Sequence, residues 1–158
     1  MAHMKAVTVS ALILLVTAFA YADTMAADFT EKDLKGKMIS LHDLRGKVVM
    51  LNFWGPWCQP CRTEVPALEK LQDTYRGKLV VIGAAVFSTE GAVERFYKDL
   101  AMNYPVIYGS FDLMDKYGKI SAFPTTILID RKGAIADTLV GSRTREQFEE
   151  LLKPLLAQ

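Results

Sequence analysis

Apolar and polar positions recur along this chain at spacings that predict most of its elements. Val48-Val49-Met50-Leu51-Asn52-Phe53-Trp54 is apolar at every position but one. The run is too short for most helices and predicts a strand buried on both faces. Leu79–Ala85 is a second run of the same kind. Between them, Val65, Leu68 and Leu71 recur at helical spacing in a segment reaching about Tyr75. Pro66 inside that segment predicts a kink, because proline removes a backbone donor and clashes with the preceding turn. Val93, Phe96, Tyr97 and Leu100 mark one face of a second helix. Phe111 to Tyr117 predicts a short helix ended by Gly118, a residue suited to a left-handed cap. Thr125 to Ile129 predicts a strand, Asp130-Arg131-Lys132-Gly133 a turn, and Ala134 to Val140 the returning strand. Thr144 and Gln147 have the spacing of a capping box, and Phe148, Leu151, Leu152 and Leu155 stripe the last helix. Residues 23–47 are more polar. There, Phe29-Thr30 and Met38–Ser40 predict a hairpin about Lys35-Gly36-Lys37, and Leu41–Leu44 predicts a helical turn ended by Gly46. The order implies an α/β fold, with a mixed sheet of about five strands, helices on both faces and an N-terminal hairpin extension.

The first residues read differently. Met1-Ala2-His3 looks like a remnant of expression cloning ahead of a native Met4. Lys5, an apolar run from Ala6 to Ala20, and then Ala20-Tyr21-Ala22 have the layout of a secretory signal cut between Ala22 and Asp23. The run falls short of the ~20 residues of a spanning helix. An uncleaved anchor is the alternative, since Tyr21 and Ala22 extend the stretch. No cysteine adjoins it, so it has no lipid acceptor. The expected organisation is therefore a signal peptide or anchor at 1–22 and one domain at 23–158, in keeping with 158 residues in all. About half the residues are apolar and both signs of charge are well represented, as in globular domains. The formal net charge is +1 without a basic cluster, which leaves nucleic acid and acidic membrane surfaces no electrostatic footprint. No internal repeat or low-complexity tract interrupts the chain, and nothing in it demands more than a monomer.

The chemistry lies in two cysteines, the only ones present. Trp57-Cys58-Gln59-Pro60-Cys61 sits where a buried strand hands over to a helix. Thiol exchange runs through a thiolate, which helix N-terminal amides stabilise. Cys58 is expected at the helix mouth with an exposed sulfur, and Cys61 one turn further in. Those positions assign roles: Cys58 attacks a substrate disulfide, and Cys61 then attacks Cys58 to release the reduced substrate. The electrons travel on the two sulfurs, so no dissociable cofactor is required. Pro60 has a backbone angle suited to a first helical turn. Arg62 is either an electrostatic support for the thiolate or a solvated surface residue. A purely structural staple would usually close a longer loop. Structural zinc has too few partners, since the histidines His3 and His42 lack zinc-finger pairing. Further along, Ala122-Phe123-Pro124-Thr125-Thr126 leads into a strand, where Pro124 could be cis or an ordinary trans turn proline.

Gly46-Lys47-Val48-Val49, Leu51-Asn52-Phe53-Trp54, Trp57 through Arg62, Glu64-Val65-Pro66 and Phe123-Pro124-Thr125-Thr126 together resemble the thioredoxin superfamily. They most resemble its exported TlpA/ResA-like branch, which includes cytochrome c maturation thioredoxins. The resemblance covers about Asp28 to Leu155. It implies a cis peptide before Pro124, facing the cysteines, whose preceding backbone pairs with an extended substrate segment. It also implies that Glu64 is a partly buried carboxylate with a raised pKa that exchanges a proton with Cys61, the alternative being a solvated helix glutamate. The catalytic candidates are thus Cys58, Cys61, Glu64 and Pro124; Trp57, Gln59, Pro60 and Phe123 are the candidate substrate contacts. Cytosolic thioredoxins usually carry aspartate where Asn52 stands. Asn52 cannot titrate, so attention moves to Glu64. Trp54 is expected to pack in the core, Trp57 to shape the surface, and His42 to lie in a surface turn.

The resulting expectation is an exported, periplasmic or otherwise extracytoplasmic, thiol–disulfide oxidoreductase that reduces protein disulfides, with apocytochrome c heme-binding segments as one candidate substrate. A reductant in an oxidising compartment must be recharged, which implies a membrane electron-donor protein as partner. Electron flow in the other direction, as a disulfide-donating oxidase or isomerase, is the first alternative. A copper-delivery module is a third, although such relatives usually separate the cysteines by three residues and add a downstream histidine. No peroxidatic threonine–cysteine context is present for a peroxidase.

Overall fold

The computed structural model describes residues 24–158, so the signal or anchor expected at 1–22 lies outside the described residues. In chain order the elements are β1 (Thr30–Lys32), β2 (Met38–Ser40), a 3-10 turn (His42–Leu44), β3 (Val48–Trp54), α1 (Gln59–Thr74) and β4 (Leu79–Ala85). Then come α2 (Glu90–Asp99), β5 (Val106–Tyr108), α3 (Phe111–Lys116), β6 (Thr125–Ile129), β7 (Ile135–Val140) and α4 (Arg145–Leu156). Five strands form one mixed sheet in the order β5-β4-β3-β6-β7, with β3 parallel to β4 and antiparallel to β6. The hairpin β1–β2 stands apart from it, its turn made by Gly36 at φ 82° and by Asp33, whose Oδ1 accepts the N–H groups of Lys35 and Lys37.

The period of two in a strand decides which helix each residue of β3 meets. Val48, Met50 and Trp54 pack with Val65, Leu68 and Leu71 of α1 and with Phe148, Leu152 and Leu155 of α4. Val49, Leu51 and Phe53 pack on the opposite face with Leu113, Met114 and Tyr117, and with Phe29 and Ile39 of the hairpin. Every residue of β3 is buried, as the unbroken apolar run implies for a strand covered on both sides. Gly118 caps α3 at φ 95°, and Thr144 and Gln147 form the capping box of α4.

Two details depart from the pattern read along the chain. β5 has no periodic signature, because it is three residues between Pro105 and Gly109 that become a strand by pairing with Gly83–Ala85. Ala134 belongs to a separate bridge with Met25, so β7 starts one residue later.

Candidate active site

Cys58 ends the loop after β3 and is the N-cap of α1. Its Sγ accepts the N–H of Cys61 at 3.2 Å, and its carbonyl accepts the N–H of Arg62. The two sulfurs form a disulfide with Cα atoms 5.3 Å apart. The expected placement at a helix start is therefore present, but the expected exposed sulfur is not: Cys58 is 5% and Cys61 3% exposed. Bonding to Cys61 while accepting its N–H turns the Cys58 side chain over the helix end, where both cysteines join the apolar cluster beneath α1. Gln59 and Pro60 are exposed on the first turn of the helix.

Glu64 stands one turn beyond Cys61, on the same helix face by its spacing of three, and is 2% exposed. Period two carries Asn52 of β3 onto the α1 side, directly opposite Thr126 of β6. One N–H of the Asn52 amide goes to Glu64 Oε2 at 3.0 Å and the other to Thr126 Oγ1 at 2.9 Å. Glu64 Oε1 accepts the backbone N–H of Arg143 at 2.9 Å. Burial pushes the Glu64 carboxyl up from 4.5 to about 7, against the pull of these two hydrogen bonds and of the Arg143 charge. Among the described residues no ion pair involves Glu64. A cleft of about 350 Å³, lined by Glu64, Thr63, Ala67, Ser142, Arg143, Thr144 and Gln147, brings solvent up to the carboxyl from the α4 side.

The Phe123–Pro124 peptide is cis and opens β6, whose first residue pairs with Phe53 beside the loop that carries the cysteines. The Phe123 ring meets the exposed Trp57 ring edge-on, with centroids 5.5 Å apart. Cys58, Cys61, Glu64, Trp57, Gln59, Pro60, Phe123 and Pro124 thus share one end of the sheet. Trp54 is buried against Phe96, and His42 lies exposed in the 3-10 turn. Arg62 is not a free solvated side chain, since its guanidinium lies over the Phe96 ring, 4.6 Å from the centroid. Among the described residues no group of three or more His, Cys, Asp or Glu is placed to hold a metal ion.

Sequence reasoning did not place Thr126 or Arg143 beside Glu64. Thr126 had a signal, being a polar residue inside a buried strand that lies across from another one. Arg143 acts through its backbone N–H, which leaves no side-chain signature.

The AhpC/TSA family matches residues 22–138. Over 130 residues the chain is 40% identical to the thioredoxin-like protein YneN of Bacillus subtilis, covering 80% of this chain and 76% of that protein. Over 132 residues it is 39% identical to the thiol-disulfide oxidoreductase ResA of Bacillus thuringiensis, with 82% and 76% covered. Among solved structures it resembles a thiol:disulfide interchange protein of the thioredoxin family from Chlorobium tepidum. The TM-score is 0.80 at 30% identity, covering 85% of this chain and 97% of that one. StoA from Bacillus subtilis has a TM-score of 0.70 at 29% identity, covering 81% and 98%. With the disulfide at the head of α1, these likenesses mean that the chain belongs to the AhpC/TSA family within the thioredoxin superfamily and is a thiol–disulfide oxidoreductase.

Proposed function

We propose that this oxidoreductase works outside the cytosol as a reductase of protein disulfides. The reading rests on Glu64, a buried carboxylate one turn behind Cys61 with no ion-pair partner among the described residues. Negative charge there opposes a second negative charge on the sulfurs. It therefore destabilises the reduced, thiolate-bearing form. Strong oxidants of this chemistry do the reverse and stabilise their reduced form.

In the proposed cycle the Cys58 thiolate, favoured by the Cys61 N–H and the helix end, attacks one sulfur of the substrate disulfide. That S–S bond breaks, the first substrate thiolate leaves and takes a proton, and Cys58 holds the second substrate sulfur as a mixed disulfide. Glu64 accepts the Cys61 proton. The Cys61 thiolate attacks Cys58 Sγ, restores the internal disulfide and expels the second substrate thiolate. Two electrons pass from the protein to the substrate. Trp57, Gln59, Pro60 and Phe123 form the surface on which the substrate lies, and the backbone before Pro124 offers it a strand edge.

The Lys5–Ala22 pattern supports export by a cleaved signal, with an uncleaved anchor as the other route. An oxidising compartment then requires a membrane protein that returns electrons to the Cys58–Cys61 pair, and apocytochrome c segments are one class of substrate. The direction of flow is tested by equilibrating the Cys58–Cys61 couple with thiol buffers of known potential. A value toward the reducing end of the range for such pairs, roughly −270 to −120 mV, is expected; one above about −160 mV rejects the reductase reading.

A further inference from the structure

Four aromatic rings form a continuous row that starts at the redox site and leads away from it. Trp57 meets Phe123 at 5.5 Å, Phe123 meets Phe87 at 5.8 Å, and Phe87 meets Phe111 at 5.1 Å, each pair close to edge-to-face. Three of the four stand more than half exposed: Trp57 56%, Phe87 52% and Phe111 74%. The rings come from four separate places, namely the loop before α1, the loop after β4, the first residue of α3 and the entrance of β6. A contiguous row of exposed rings is an apolar surface on which a partner can be seated.

The backbone supports the same conclusion. Among the described residues only three non-glycine residues have positive φ, and two of them, Phe87 at 49° and Lys119 at 58°, border the far end of the row. An aromatic residue is unfavourable in that region, so the surroundings must hold Phe87 there. The far end opens into a hollow of about 290 Å³ lined by Phe87, Phe111, Met114, Asp115, Lys119 and Ile120. Its lining combines the apolar Phe87, Phe111, Met114 and Ile120 with Asp115 and Lys119, two charges of opposite sign.

We propose that this row and hollow are a specificity subsite that seats a large apolar or aromatic side chain of the substrate. The proposal rests on the reductase reading and names the class of polypeptide that reading leaves open: an extended cysteine-containing segment with an aromatic residue some distance from the cysteine. Continuity with the disulfide selects the occupant, because a chain bound at Cys58 must pass over Trp57 and Phe123. Three ring-to-ring steps of under 6 Å are spanned by about five residues of extended chain. Edge-to-face rings leave faces free for a further ring, and the balanced charge of the hollow favours neither an acidic nor a basic side chain.

The test uses two synthetic peptides, each with one cysteine capped as a mixed disulfide with glutathione. One carries phenylalanine five residues to each side of the cysteine, and the other carries serine there. Reduced wild-type protein is compared with the double variant Phe87→Asn, Phe111→Ser. Asparagine tolerates positive φ and Phe111 is largely exposed, so both changes are compatible with the fold. The wild type is expected to reduce the phenylalanine peptide with a second-order rate constant about tenfold above that for the serine peptide. The double variant should lose that preference while reducing oxidised glutathione at the wild-type rate. Equal rates for the two peptides in the wild type, or a preference retained in the double variant, overturn the subsite alone. Failure of the wild type to reduce either peptide or oxidised glutathione overturns the reductase reading and the subsite with it.

Discussion

Glu64 shows how one side chain can link stability to redox chemistry. It is held by Asn52, by the Arg143 N–H and by burial, and burial dominates its pKa of about 7. Below about pH 4.5 the folded and unfolded chains both keep the proton, and above about pH 7 both release it. Between those limits the folded form holds a proton that the unfolded form has lost, so stability falls as pH rises through the window. The loss is no more than about 3 kcal/mol. Urea midpoints of the oxidised protein, read from pH 4 to 8, should show the wild type losing ground to Glu64→Gln across that window. A constant difference between the two would mean that Glu64 titrates normally. The residue types around the site were legible beforehand, but the burial of Cys58 was not. A helix-mouth cysteine reads as exposed until the disulfide turns its sulfur over the helix end.

At the level of elements, short local signals were the most readable. The capping box of α4 joins residues three apart, so nothing distant is needed to form it: Thr144 Oγ1 accepts the Gln147 N–H, and Gln147 Oε1 accepts the Thr144 N–H at 2.9 Å. Thr144→Ala should lower stability by about 1 kcal/mol, measured by denaturant unfolding. Because Arg143 precedes the cap and donates to Glu64, the variant should also perturb the pH dependence described above. A variant as stable as the wild type would mean that packing alone holds the start of α4. β5 lies at the other extreme. Three residues carry no period, and pairing with β4 makes them a strand.

Across the whole molecule the sheet separates two apolar layers, one under α1 and α4 and the other under α3 and the hairpin. Leu71 is fully buried in the first layer. Leu71→Ala should cost about 2–5 kcal/mol through lost burial and the cavity left behind. A domain with a shared sheet should unfold in one transition, so circular dichroism and tryptophan fluorescence are expected to shift together. Separate transitions for the two probes would indicate that the layers unfold independently. The hairpin is tied to this body by the Leu34 N–H on the Val106 carbonyl, which covers the β5 edge, and the segment before it by Tyr117 Oη donating to the Ala27 carbonyl.

What the sequence determined on its own is what local periodicity and spacing can encode: two strands buried on both faces, the helices with the glycine cap of α3 and the capping box of α4, and a cysteine pair at a strand-to-helix junction. These depend on neighbours within a few residues. The tertiary structure decided which distant residues meet. It paired Asn52 with Thr126 across two strands, brought the Arg143 N–H onto Glu64, and lined up Trp57, Phe123, Phe87 and Phe111 from four separate segments. Such contacts follow from strand register and from the packing of helices on the sheet, and both are set only once the whole chain has closed around its core.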